Sequence, residues 1–216
     1  WTEAQEILRE NDILLIADEV MTGFGRVGQD FASKLYNIEP DILIAGKGMG
    51  GGYAAIGGTY STDEIADSIQ KAGYEVMFHT FAALPQSCAA SAEVLKILRK
   101  EQLCERVKPI GENILHNLNS EIGQHPNVAE IRGEGLLIGI EIVKDKDSLK
   151  PFDESKKITS QIMQKGLEMG VFLYPGGTGT FRDIICLGPA FTIGNIEVEM
   201  MVDVLKQSIN SVIEST

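Results

Sequence analysis

Two short apolar runs constrain this chain more than any other feature: Leu14-Leu15-Ile16-Ala17, closing on Asp18, and Ile42-Leu43-Ile44-Ala45, closing through Gly46 on Lys47. Neither alternates apolar with polar residues. A strand with one wet face does alternate, so unbroken runs read as strands covered on both faces, as in the parallel sheets of α/β proteins. Residues 13–17 and 41–45 are therefore expected strands. Each gives way to a glycine-containing loop, Asp18-Glu19-Val20-Met21-Thr22-Gly23-Phe24-Gly25-Arg26 after the first and Gly48-Met49-Gly50-Gly51-Gly52-Tyr53 after the second. Ligand sites in α/β sheets form at the carboxyl ends of strands, so Asp18 and Lys47 are expected on one rim.

The rest of the chain divides by pattern. Residues 54–60 read as a third strand, with a helix at 62–72 opened by Thr62-Asp63-Glu64. Helices are expected at 85–100, with Pro85 in the first turn, and at 103–122, ending near Gly123. Residues 128–143 then alternate as a bent strand or hairpin broken at Gly133 and Gly135. A helix at 155–169, strands at 171–175 and 184–190, and a terminal helix at 195–214 capped by Asn195 follow. The expected organisation is α/β: residues 1–122 belong to a larger, mainly parallel sheet domain, and residues 123–216 form a small α/β domain.

Composition narrows the function. A net charge of −12 without any basic stripe argues against nucleic acid and anionic membranes as partners. No apolar run approaches the roughly 20 residues of a membrane-spanning helix, and a cytoplasmic location is expected. Cys88, Cys104 and Cys186, with His79, His116 and His125, show no zinc-ligand spacing, and no Gly-x-Ser-x-Gly elbow is present. Metal and serine chemistry lack their markers. Gly46 to Gly51 satisfies G-x-G-x-x-G, but a Gly-rich extended segment follows in place of the helix that would receive a pyrophosphate. A phosphate-binding P-loop fails because Gly48 follows Lys47 and Asp41 stands where the first glycine belongs.

One amine and one carboxylate on a common rim suit pyridoxal 5'-phosphate: the amine forms a Schiff base, and the carboxylate keeps a proton on the pyridine nitrogen. The residues carry this further. Leu15 to Gly28, Pro40-Asp41, Ala45-Gly46-Lys47-Gly48, Gly51-Gly52-Tyr53, His79-Thr80-Phe81 with Pro85, Cys88-Ala89-Ala90, Ile131 to Leu136, and Gly188-Pro189-Ala190-Phe191 together resemble the class III pyridoxal-phosphate-dependent aminotransferases. The resemblance covers nearly all 216 residues and corresponds to the C-terminal half of that family's subunit. It implies a partial fold type I large domain followed by the small domain. A chain that opens on Trp1, directly in a helix, is likewise expected to be truncated.

The resemblance makes Lys47 the Schiff-base and proton-shuttling lysine, Asp18 the partner of the pyridine nitrogen, and Val20 the apolar contact on the ring face. Thr80 matches the threonine that holds the cofactor phosphate of the neighbouring subunit, which implies a homodimer with shared active sites. Some positions depart from the family pattern. Met21 stands where many relatives have glutamine near the cofactor oxygen, and Ala82 replaces the glycine usual after the aromatic. No arginine stands close before Pro189, so Arg182 is the nearest candidate for a substrate carboxylate, and Arg182 and Met21 are the substrate-side candidates. Arg26 is read as ordering its loop and Arg132 as a structural hydrogen-bond hub.

The activity implied is amino-group transfer from an amine or ω-amino acid to a 2-oxo acid. Racemisation or decarboxylation starts from the same cofactor chemistry and stays open. So does a reading of the chain as a non-catalytic fragment or dimerisation unit, because the family's remaining phosphate and ring contacts come from the other half of the subunit.

Overall fold

The structure, a computed structural model, describes residues 1–74, 80–177 and 183–216. It separates into two compact units, Trp1–Arg106 and Val107–Thr216.

In the first unit, helix α1 (Thr2–Glu10) precedes β1 (Ile16–Asp18), the short α2 (Ala32–Leu35) and β2 (Ile42–Ala45). A 3-10 turn at Lys47–Gly50 leads to β3 (Gly58–Ser61), α3 (Asp63–Lys71) and α4 (Pro85–Lys100). The strands lie in the order β1-β2-β3. β1 and β2 run parallel, with Ile16 opposite Ile42 and Asp18 opposite Ile44. Asp41 sets this register: its carboxylate accepts the Leu15 N–H at 2.7 Å, while its own N–H donates to the Leu15 carbonyl at 2.9 Å. β3 joins the other side of β2 antiparallel, with Gly58 opposite Ala45. The segment between them contains a turn and no crossover helix, so the chain has to come back in the opposite direction.

β1 is an edge strand, and its apolar run is open, with Leu14 57% and Ile16 55% exposed. Burial on both faces requires a layer on each side. Among the described residues of this unit, only Val27, Ala45 and Leu103 are fully buried hydrophobics.

The second unit has the core. Helix α5 (Leu103–Ile122) enters it, followed by β4 (Val128–Glu134), β5 (Leu137–Ile142), α6 (Ile158–Glu168), β6 (Tyr174–Gly176), β7 (Ile184–Leu187) and α7 (Asn195–Glu214). The strands form an antiparallel sheet in the order β4-β5-β7-β6. Along β5, Ile138, Ile140 and Ile142 point inward with at most 1% exposure, while Leu137, Gly139 and Glu141 alternate with them. They meet Ile114, Leu118 and Ile122 of α5, Ile158 and Ile162 of α6, and Val198, Leu205 and Ile209 of α7.

The first compact unit ends at Arg106 and the second begins at Val107, inside α5. The apolar stripe of α5 from Val107 onward is buried in the second unit's core. Gly111 permits the approach: a Cβ there would stand 2.1 Å from the Gly135 carbonyl oxygen in the β4–β5 turn. At α7 the cap is Gly194, not Asn195, and Glu197 reaches back to accept the Gly194 N–H at 3.1 Å.

Candidate active site

Because β1 and β2 are parallel neighbours, both end at the same edge of the sheet. Asp18 is the last residue of β1, and Lys47 follows β2 after Gly46. Both are exposed, so in this chain the site is an open rim. Asp18 Oδ1 accepts the N–H of Val20 at 3.0 Å, which folds the loop back over the strand end. Lys47 opens the 3-10 turn with φ +41°, a left-handed conformation that a side chain with a Cβ rarely takes. Such strained positions cluster where geometry serves a ligand. Its Nζ lies 2.6 Å from Met21 Sδ, so the loop after Asp18 and the lysine meet directly.

A Cβ on Gly46 would lie 3.9 Å from both methyls of Val20 and 3.7 Å from the Ile56 carbonyl. Val20, half-buried, therefore offers an apolar surface beside the lysine. The turn is held from behind by α4. Ser91, buried there, donates its hydroxyl to the Met49 carbonyl at 2.8 Å, and Val94 lies 2.9 Å from where a Gly51 Cβ would stand.

The structure thus places Asp18 and Lys47 at one edge of the sheet, with Val20 bonded to Asp18 and near Gly46, and Met21 against Lys47 Nζ. Thr80 is exposed in the turn before α4, and Arg182 lies outside the described residues. Arg132 belongs to the second unit, where its Nη1 donates to Glu130 at 2.6 Å and Glu141 at 2.8 Å. Those two carboxylates are cross-strand partners on β4 and β5. Like charges placed opposite each other repel, and Arg132 bridges them. The hydrogen bond that Arg132 donates to Glu141, helped by the one to Glu130 and opposed by burial, raises the pKa of the guanidinium above its ordinary value. This is the hub the sequence suggests.

Two further participants were given no role from the sequence. Ser91 is one of several small residues on a helix, and nothing in its spacing marks it. Glu19 reads as a polar loop residue after a strand, yet it is 2% exposed. Its carboxylate accepts the backbone N–H groups of Ala32 at 2.9 Å and Ser33 at 2.6 Å, and the Thr22 hydroxyl. Burial raises its pKa, but the hydrogen bonds from Thr22, Ser33 and Ala32 outweigh burial and lower it below the ordinary carboxylate value.

Comparison with known proteins shows the family. The family description "Aminotransferase class-III" matches residues 1–209. The chain is 35% identical to the uncharacterised aminotransferase YodT of Bacillus subtilis, over 98% of this chain and 49% of that protein. It is 32% identical to the hypotaurine/taurine–pyruvate aminotransferase of Paracoccus denitrificans, over 98% and 47%. Among solved structures, a Bacillus anthracis aminotransferase superposes with a TM-score of 0.92 at 32% identity, covering 97% of this chain and 47% of the other. A thermostable (S)-enantioselective omega-transaminase from Thermomicrobium roseum gives 0.90 at 32%, covering 98% and 46%. The chain spans about half the length of the curated relatives it matches. The first unit is accordingly part of a fold type I domain, and the chain belongs to the class III aminotransferases.

Proposed function

We propose that the protein of which these residues form a part is a pyridoxal-phosphate-dependent aminotransferase that moves an amino group from an amine or ω-amino acid to a 2-oxo acid. The observation that carries the reading is the delivery of Asp18 and Lys47 to one rim by adjacent parallel strands, with Lys47 held in a strained backbone conformation. The residues fit the cofactor: an amine, a carboxylate and an apolar wall surround a floor that a side chain on Gly46 would occupy. When bound, pyridoxal phosphate supplies the electron sink that lets a proton leave the carbon bearing the substrate amine.

The protein's own groups do the rest. Lys47 Nζ would hold the cofactor through its aldehyde carbon and would take up and return the proton at the carbon bearing the substrate amine. Its long stem permits both positions. Asp18 keeps the proton on the pyridine nitrogen, since a carboxylate beside that nitrogen favours the charged form. Val20 fixes the ring plane by apolar contact. Thr80 reaches the cofactor phosphate of a neighbouring subunit, which makes the enzyme a homodimer with shared sites. Arg182 and Met21 are the substrate-side candidates.

The chain by itself is expected to be inactive, a second reading favoured by the open β1 edge. Adding pyridoxal phosphate, reducing with borohydride and mapping the product by mass spectrometry tests both. An adduct on Lys47 is expected in the full-length protein. Its absence there refutes the enzymatic reading, and equal adduct yield in the isolated chain refutes the second.

A further inference from the structure

Asp18 is exposed, and among the described residues its one hydrogen bond is to the N–H of Val20. Something else has to hold it in place. Its neighbour Glu19 is anchored at every polar group. The Glu19 N–H donates to the carbonyl of Ile44 at 2.8 Å, on the strand that leads to Lys47. Its carbonyl accepts the Gly23 N–H at 2.9 Å, in a turn so tight that a Cβ on Gly23 would come within 2.8 Å of that oxygen. One carboxylate oxygen takes the N–H of Ser33, and the other takes the N–H of Ala32 and the hydroxyl of Thr22.

We propose, on the reading given above, that Glu19 is the positioning residue of the site: its buried carboxylate locks residues 18–23 between β2 and the first turn of α2, and so sets where the Asp18 carboxylate stands relative to Lys47. Asp18 and Glu19 share a peptide bond and divide the work by face. The exposed carboxylate meets the ligand, and the buried one fixes the backbone that carries it. A carboxylate suits this role because it only accepts, and all three partners donate. An amide in its place turns one arm into a donor facing donors, leaving a buried group unpaired.

The test is a double-mutant cycle in the full-length protein, with pyridoxal phosphate as the probe. Glu19→Gln, Asp18→Asn and the double variant are titrated by visible absorption, and the pH dependence of the bound-cofactor band is recorded for each. Hydrogen exchange reports the Ala32 and Ser33 amides. Glu19→Gln is expected to weaken cofactor binding roughly tenfold, shift the band's pH response and speed exchange at Ala32 and Ser33. In the Asp18→Asn background it is expected to add less than about twofold, because a residue acting through Asp18 has little left to disturb. Equal factors in both backgrounds, or unchanged binding in Glu19→Gln, would overturn the proposal. Should Glu19→Gln fail to fold, Thr22→Val removes one donor, keeps the charge and runs the same cycle with a smaller factor. A wild-type protein that takes up no cofactor refutes the functional reading itself, and this proposal with it.

Discussion

Gly111→Ala sets two effects of opposite sign against each other. Glycine inside a helix is worse than alanine by about 1 kcal/mol, so propensity alone says the substitution stabilises α5. Packing says otherwise. The new methyl would stand 2.1 Å from the Gly135 oxygen and 2.6 Å from its carbonyl carbon. Both atoms are backbone, in the connection of a hairpin whose strands are paired from Val128/Ile142 to Glu134/Leu137, so no side chain can rotate away. The helix has to move instead, and it carries Ile114, Leu118 and Ile122 out of register with the core. Overpacking of this kind costs about 1–3 kcal/mol, and a clash with backbone belongs at the upper end. The net expectation is a loss of about 2 kcal/mol, read as a fall of roughly 5–10 °C in the melting of the second unit by circular dichroism or calorimetry. Gly139→Ala serves as a control, since a Cβ there would meet Ile184 at 3.7 Å, an ordinary contact. A melting temperature that rises in Gly111→Ala would refute the reasoning, because propensity would then outweigh the contact.

Three further outcomes follow from the geometry. Ser91→Ala removes the donor to the Met49 carbonyl and should loosen the Lys47 turn by about 1–2 kcal/mol. The Met49, Gly51 and Tyr53 amides, bonded within that turn, should then exchange about tenfold faster, while melting of the second unit stays unchanged. Arg132→Gln leaves Glu130 and Glu141 facing each other. Because Arg132 is partly exposed the loss should stay near 1 kcal/mol, and Glu141→Gln in the same chain should recover part of it in urea unfolding. His125 is held below its ordinary value chiefly by burial and also by nearby Lys146, against a hydrogen bond with Asn210 that raises it. The neutral ring is therefore favoured in the folded state: its stabilisation is complete above about pH 6.5 and is lost as pH falls through the lower folded value. His125→Gln should flatten the loss of stability between pH 7 and 5. An unchanged profile would show that the ring does not titrate differently on folding.

Much of the site was legible from local pattern, and particular residues show why. Asp18 and Lys47 close apolar runs too short and too uniform to be anything but strands, and strand ends are where side chains meet ligands. The helix at Leu103–Ile122 repeats its apolar residues at helical spacing and ends before Gly123, and Pro85 marks the first turn of the helix at Pro85–Lys100. Glu19 and Ser91 were not legible, because their partners, Ala32, Ser33 and Met49, lie 13 to 42 positions away and no periodicity links them.

The amino-acid sequence by itself determined which residues end the strands, which helices form and which chemistry an amine and a carboxylate on one rim can serve, because these depend on neighbours a few positions apart. Tertiary structure decided the register of β1 on β2 through Asp41, the antiparallel return of β3, and the assignment of α5 to the second unit's core. It also buried Glu19 and surrounded its carboxylate with donors. Those outcomes rest on hydrogen bonds and contacts between segments distant in the chain, whose partners exist only once the fold has brought them within reach.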